Sequence, residues 1–396
     1  MDFTFTKAEE AFRQQLRDFV KKELPRDWLG IEEYDTDEEW EFTKKMAKKL
    51  AAKGWLTLSW PKEYGGGGAT PIQEVIYREE MAYHLVPGVG MGVGGVDWVG
   101  PALIRFGTEE QKKEHMPHIG SGDRFWCTAY SEPNAGSDLA SLQLRAVAEG
   151  DDWVLNGQKV WTSSGHRAHW CWMAARTDPN APKHRGISMF VVDMKTPGVT
   201  VRPLINIANI HSFNEVFFDD VRIPKGNLVG QVNRGWYHLA TALDFERMGP
   251  TTRSGAFCRR ILDELVKYAN QHARNGKPLA KDPIIRQKLA ELAVEVEALR
   301  MFAYRIAWML TKGLVPNYEA SMGKVFSNEI IERLLNLGMD MMGHYGILEA
   351  DSKWAQLQGF IARQYMMMPG GKVAAGTMEI QKNIIAQRGL GLPRGE

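Results

Sequence analysis

The sequence predicts an α+β protein of three parts, with helical segments flanking a central all-β segment. Three observations carry this. Apolar residues recur at helical spacing through the first segment; short runs rich in β-branched and aromatic residues replace them from about Asp123 to Pro224; long helical patterns return from Trp236. The boundaries read as 1–122, 123–234 and 235–396. With 396 residues, 44% of them hydrophobic, the chain can bury the cores of two or three domains.

The first helix starts at a capping box, Thr6-Lys-Ala-Glu9, whose oxygens meet the orphan N–H groups of a first turn. Phe12, Leu16, Phe19, Val20 and Leu24 follow at helical spacing, and Pro25 closes the run. The seven acidic residues between Glu32 and Glu41 read as a solvated helix face or loop. Trp60-Pro-Lys-Glu-Tyr64 and the glycines 65–68 break any helix, and helical pattern resumes over Ile72–His84. Gly88–Gly95 holds no GxGxxG between a strand and a helix, so it reads as close helix packing.

In the central segment, Trp153–Leu155, Asn156-Gly157 and Lys159–Trp161 predict a hairpin, because Asn-Gly suits a type I′ turn. Ile187–Val192 and Val199–Val201 read as strands. Asn214–Phe218 reads as another, ended by Asp219-Asp220 and then Pro224. Helices are expected at Trp236–Ala273, Pro283–Gly313, Tyr318–Met342 and Thr377–Arg388.

Composition removes whole classes of function. There are 49 basic and 48 acidic residues, a balance without the basic surface that nucleic acid demands. Cys127, Cys171 and Cys258 are few, far apart and odd in number, so neither a disulfide framework nor a zinc site is read. His115/His118 and His166/His169 lack further ligands nearby, and no metal is expected. The start, MDFTFTKAEE, has no signal-peptide pattern, and no apolar run reaches membrane-spanning length. A cytoplasmic protein without a membrane partner is the expectation. Met339, Met341, Met342 and Met366–Met368 suit either an acyl pocket or plain core.

Tyr130-Ser-Glu-Pro-Asn-Ala-Gly-Ser137-Asp138 follows a predicted strand. Pro133 and Gly136 force a turn, and Ser131 and Ser137 set hydroxyls beside backbone N–H groups. Such a loop suits a planar cofactor's polar edge or a pyrophosphate, and equally an ordinary Ser/Asn/Gly turn. Three companions decide between them: Trp60-Pro-x-Glu-Tyr-Gly-Gly66 before it, Asn156-Gly-Gln-Lys159-Val-Trp161-Thr-Ser163-Ser164 after it, and Gly376-Thr377-Met-Glu379-Ile-Gln381 near the end. Together these motifs resemble the acyl-CoA dehydrogenase family along nearly the whole chain.

The resemblance implies a helical N-terminal domain, a central β-barrel, a C-terminal four-helix domain, and FAD as cofactor. It implies that Tyr130 and Ser131 lie at the flavin ring, with Trp161 and Ser163 beside it from the next strand. Ser137 is implied at the pyrophosphate or the CoA end. Arg274 of a neighbouring subunit is implied at the pyrophosphate, Gly343 in a turn near FAD, and Thr377 and Glu379 as FAD contacts. Glu379 stands where Gln is usual, as does Asp340 before Gly343.

Removing hydrogens from Cα and Cβ of a thioester needs a base for the α-proton and donors for the developing enolate oxygen. Many members carry the base just before the C-terminal Gly-Thr, where this chain has Ala375. Leu243-Asp-Phe-Glu246-Arg247 resembles the LDxER pattern of isovaleryl-type and bacterial bulky side-chain or steroid members, which makes Glu246 the expected base. Pro250, four residues on, predicts a kink centred at Glu246. Arg247 is expected to orient the site or meet the CoA phosphates, and the backbone N–H groups around Ala375 and Gly376 to meet the thioester. The expected reaction turns a branched, cyclic or bulky acyl-CoA into the trans-2-enoyl-CoA. Electrons would pass to an electron-transfer flavoprotein, and the enzyme would be a homotetramer or dimer. Two other readings stand beside it: a flavin oxidase or monooxygenase on the same scaffold, and a non-catalytic subunit of a heteromeric dehydrogenase.

Overall fold

The computed structural model describes residues 4–90, 94–245 and 248–394. In chain order the helices are α1 (Lys7–Glu23), α2 (Asp37–Ala52), α3 (Pro71–Tyr83), α4 (Gly100–Phe106), α5 (Glu109–Gly120), α6 (Gly235–Phe245), α7 (Met248–Gln271), α8 (Pro283–Thr311), α9 (Tyr318–Met342), α10 (Phe360–Val373) and α11 (Met378–Ile384). The strands are β1 (Trp126–Ala129), β2 (Arg145–Glu149), β3 (Asp152–Lys159), β4 (Trp170–Arg176), β5 (Ile187–Asp193), β6 (Val199–Leu204), β7 (Phe213–Pro224) and β8 (Leu228–Val229). A two-residue ribbon, β9 (Ala273–Arg274) with β10 (Lys277–Pro278), follows α7.

The chain divides into two compact units. One gathers Met1–Gly30, Thr70–Val86 and Arg247–Glu396; the other gathers Ile31–Ala69 and Pro87–Glu246. In the first, α7, α8 and α9 pack on one another, α10 and α11 pack on α9, and α1 and α3 close the helical core from the N-terminal side. That core is aliphatic: Ile261, Leu265, Leu292, Val296, Leu299, Ile330 and Leu334 are almost wholly buried. Met341 and Met342 belong to it, and Met339 and Met368 pack against it. In the second unit an eight-stranded sheet runs β6-β7-β3-β2-β4-β5-β8, with β1 paired parallel to β4. Alternate residues of its strands, among them Leu155, Met173, Phe190, Val192, Val216 and Val221, make a second core.

Helix starts follow the capping chemistry in the sequence. Thr6 with Glu9, Thr36 with Glu39, Thr70 with Gln73 and Thr108 with Gln111 each form a reciprocal capping box. Pro71 and Pro283 occupy first turns, where no N–H is needed. The packing read into the early glycine run holds at Gly88, where a Cβ would lie 2.6 Å from the Thr43 carbonyl oxygen.

Several expectations are corrected. Asn156-Gly157 is not a hairpin turn. β3 runs straight through it, and the pair forms a bulge opposite β7, with Gly157 at φ +144°. A Cβ there would lie 2.9 Å from the Leu144 Cα, so close backbone approach explains the glycine. The real hairpin joins β2 to β3 around Gly150. Asp219-Asp220 does not end β7. Asn156 and Asp220 exchange two hydrogen bonds of 2.9 Å across the bulge, and the strand continues to Pro224.

The run Trp236–Ala273 is not one helix through to Ala273. The described helices span Gly235–Phe245 and Met248–Gln271, and Ala273 joins the ribbon. Pro250 lies in α7. The kink predicted at Glu246 falls outside the described residues. α10 is a helix that the sequence reading missed: Pro369 and the Gly370-Gly371 pair mask its pattern. Glu33 departs from the solvated acidic run. Its carboxylate accepts the Gly88 N–H at 2.7 Å, and burial pushes its pKa up to about 7.

Candidate active site

The Tyr130–Asp138 loop leaves the end of β1 and is held by charge buried beneath it. Lys159, the last residue of β3, is completely buried. Its Nζ donates to the Glu132 carboxylate at 2.8 Å and to the Tyr130 carbonyl at 3.0 Å. Glu132 also accepts the N–H groups of Gln143 at 2.6 Å and Leu144 at 2.9 Å. Burial pulls the Lys159 pKa down, against the opposing pull of the Glu132 charge. Beyond the loop, the buried Arg176 guanidinium donates to the carbonyls of Ala140, Leu142 and Lys183. The loop is therefore anchored at both ends, with Pro133, Asn134, Gly136 and Ser137 exposed between the anchors. Asp138 holds Lys183 at 2.8 Å.

The second motif meets the first directly. The Val160 N–H donates to the Ser131 carbonyl at 2.9 Å, which joins the loop to the segment after β3. Trp161 comes next. Its backbone is left-handed at φ +59° and its side chain is 61% exposed, an unusual combination for a tryptophan. Phe213 meets the indole edge-on at 6.0 Å. Ser163 is partly exposed, Thr162 is buried with an unpartnered Oγ1, and Ser164 is left-handed again at φ +52°. Tyr130, Ser131, Trp161 and Ser163 thus lie together in the second unit, with Ser137 further along the same loop.

The first unit carries its predicted residues in two places. Arg274, in the ribbon, donates to the carbonyls of Asp340 at 2.6 Å and Met341 at 3.2 Å, at the end of α9 beside Gly343. Gly343 begins a 3-10 turn at φ +55°. At the start of α11, Thr377 is the N-cap and accepts the Ile380 N–H. Glu379 lies exposed in the first turn, its pKa lowered by its own backbone N–H and the Thr377 hydroxyl. Just before it, Ala375 (φ +53°) and Gly376 (φ +85°) are consecutively left-handed, a conformation that L side chains avoid. Gln381 Nε2 holds the Ala375 carbonyl at 3.2 Å, and Lys324 donates to the carbonyls of Gly371 and Ala374. Glu246 and Arg247 lie outside the described residues.

The sequence reading did not single out the Glu132–Lys159 pair, Arg176, Lys324 or Gln381. Lys159 alone left a signal, a lysine on the inward register of a strand with Trp153 and Leu155. Two of the histidines serve the interior. His115 lies between Trp126 and Trp170, and His169 Nδ1 accepts the Phe125 N–H. Among the described residues no group of three His, Cys, Asp or Glu could hold a metal ion, and no helix is long and apolar enough to cross a membrane.

A β-borne loop is bonded to a strained, tryptophan-bearing turn and carried between helical segments of the chain, the arrangement that the resemblance to the acyl-CoA dehydrogenases implies. The chain belongs to the acyl-CoA dehydrogenase family. Family models for the acyl-CoA dehydrogenase N-terminal, middle and C-terminal domains match residues 6–123, 127–221 and 233–390. The acyl-CoA dehydrogenase IpdE1 of Mycobacterium tuberculosis is 35% identical over 392 residues, covering 97% of this chain and 98% of that one. A structure described as the Tcur3481-Tcur3483 steroid ACAD superposes with a TM-score of 0.89 at 30% identity, covering all of both chains. The ChsE4-ChsE5 complex from Mycobacterium tuberculosis superposes at 0.88 with 31% identity, again covering all of both chains.

Proposed function

We propose that this chain catalyses FAD-dependent α,β-dehydrogenation of a branched, cyclic or bulky acyl-CoA, giving the trans-2-enoyl-CoA. The observation that carries the reading is the joined pair of motifs, the Tyr130–Asp138 loop bonded to the segment that presents Trp161 and Ser163. The bulk of the acyl group is supported by the similar structure named a steroid dehydrogenase. It is supported as well by LDxER at Leu243–Arg247 with Ala375 in the usual base position.

The residues present fit FAD. The exposed Trp161 indole offers a flat apolar surface, Ser131 and Ser163 are partly exposed, and the Thr377 hydroxyl accepts the Ile380 N–H at the start of α11. When bound, FAD supplies the two-electron hydride acceptor. In this reading Tyr130, Ser131, Trp161 and Ser163 hold the ring, and Ser137, Arg274, Gly343, Thr377 and Glu379 hold the rest of the cofactor or the CoA. Glu246 takes the α-proton. The N–H groups of the Ala375-Gly376 turn donate to the thioester oxygen, a role that needs no side chain. Arg247 orients the site or meets the CoA phosphates. Segments 1–122, 123–234 and 235–396 act as its three domains.

Electrons leave to an electron-transfer flavoprotein, and the chain works as an oligomer in the cytoplasm. Oligomerisation is supported by α8, which leaves Val294, Met301 and Trp308 exposed at seven-residue intervals on one face. The cytoplasm is supported by three free, buried cysteines. A second reading, a non-catalytic subunit of a heteromer, is favoured by Ala375 and by the two-chain complexes among the similar structures.

Anaerobic mixing with straight, branched and ring-bearing acyl-CoAs tests the proposal. A bulky thioester is expected to bleach the flavin, and Glu246→Gln to slow the bleaching about 10²–10⁴-fold. Unchanged bleaching in that variant sinks the assignment of the base; no bleaching by any thioester favours the non-catalytic reading. Reoxidation of the reduced flavin by O₂, followed by stopped flow, separates a dehydrogenase from an oxidase.

A further inference from the structure

One residue grips the turn between Trp161 and Ser163 from two sides. Asn214, in β7, is wholly buried. Its carbonyl accepts the Thr162 N–H at 3.0 Å, and its Nδ2 donates to the Thr162 carbonyl at 3.0 Å. The same Nδ2 lies 3.2 Å from His166 Nδ1, and its Oδ1 lies 2.8 Å from His211 Nε2. These contacts assign the protons. An amide nitrogen only donates, so His166 Nδ1 is the acceptor and its Nε2–H donates to the Tyr34 carbonyl at 2.8 Å. His211 Nε2–H then donates to Oδ1. The two imidazoles stack 3.7 Å apart with their planes 15° from parallel, and no donor in the set faces a donor.

The surrounding loops are bonded into the same cluster. The Ser164 N–H donates to the Ser212 carbonyl at 3.0 Å, and the His211 N–H to the Asp35 carboxylate at 2.9 Å. Arg167 spans the carbonyls of Tyr34 and Asp35 and the Asp37 carboxylate. What they hold is a strained segment. Trp161 and Ser164 are both left-handed, and such a backbone persists only where its surroundings over-determine it.

We propose that Asn214 is a positioning residue for the cofactor site, its amide oriented by His166 and His211 so that the Trp161–Ser163 turn is preset. This rests on the reading of Trp161 and Ser163 as flavin contacts. The demand is for an amide and nothing else of its size. Aspartate would turn a charged acceptor onto the Thr162 carbonyl and the His166 lone pair, and leucine would take the Asn214 donor from both, leaving the Thr162 carbonyl only the Gly165 N–H at 3.5 Å.

The test uses the full chain as purified. Hydrogen exchange is followed by mass spectrometry for residues 161–165 and, as a reference, for β4 and β5. Flavin content, visible spectrum and reduction potential are measured on the same samples. In Asn214→Asp, exchange in 161–165 is expected to rise at least tenfold while β4 and β5 stay within twofold of wild type. The flavin is expected to dissociate more readily and its absorption bands to shift. Exchange in 161–165 within twofold of wild type would overturn the proposal, as would an unshifted, fully retained flavin. Should Asn214→Asp not fold, His211→Phe keeps the ring stack and removes only the donor to Oδ1. There a threefold rise at 161–165 is expected, and no rise overturns the proposal. If the wild-type chain takes up no flavin, the functional reading fails, while the exchange result still decides the clamp.

Discussion

Lys159 shows how one buried charge can set a loop. Its ammonium is fully buried and makes contacts with Glu132 and the Tyr130 carbonyl. Removing one partner of such a pair leaves the other charge without compensation. Lys159→Met is therefore expected to destabilise the fold by about 3–5 kcal/mol in urea unfolding and to release the Tyr130–Asp138 loop. Glu33 makes a second residue-scale prediction. Its folded pKa, about 7, lies above the ordinary 4.5. Between those values the folded chain holds the extra proton, so this group's contribution is full below pH 4.5 and is lost as pH rises through 7. Glu33→Gln keeps an acceptor for the Gly88 N–H. It is expected to flatten that slope and to raise stability at pH 8 by roughly 1 kcal/mol, read from denaturation midpoints across pH. Residue types were legible at this scale, and their environments were not. The acidic run gave no sign that Glu33 meets the Gly88 N–H, because that partner lies 55 positions away.

At the scale of elements, local chemistry sets helix starts, of which the sequence named the Thr6–Glu9 box, and it failed where a partner strand intervened. Four capping boxes began four helices because their partners lie three residues apart. Asn156-Gly157 has the local signature of a turn, yet β7 supplies ladder partners on both sides of it and converts it to a bulge. Gly157→Ala is expected to cost about 1–3 kcal/mol in thermal unfolding, because the new Cβ meets Leu144 on a left-handed backbone. A neutral substitution would mean that the bulge relaxes freely. The missed α10 has the opposite cause: a proline and a glycine pair spoil its propensity, and packing on α9 restores it.

For the whole molecule, the first unit is discontinuous, and long-range ion pairs bind its pieces. Glu79 of α3 accepts from Arg13 of α1 at 2.7 Å and from Arg300 of α8 at 2.5 Å, with the Tyr304 hydroxyl at 2.9 Å. Glu80 takes Arg17 at 2.9 Å. Glu79→Ala takes a shared carboxylate from two guanidiniums at once, leaving Arg13 to Glu80 at 3.1 Å and Arg300 to Glu297 at 3.8 Å. It is expected to cost about 2–3 kcal/mol and to speed amide exchange in α1 before any change appears in α9. Equal protection of α1 in variant and wild type would show that apolar packing of Leu16, Phe19 and Val20 suffices.

The sequence by itself determined the helix–β–helix order and the family, since these rest on periodicity and on motifs a few residues long. The proposal of Glu246 as the base also rests on sequence alone, on a motif and on alanine at position 375. Only the tertiary structure decided how the loop is held. Glu132 and Lys159 are 27 positions apart, and Asn214 and Thr162 are 52 apart. Strand pairing brings them within hydrogen-bond distance, and once they are buried, unpaired alternatives are too costly to compete.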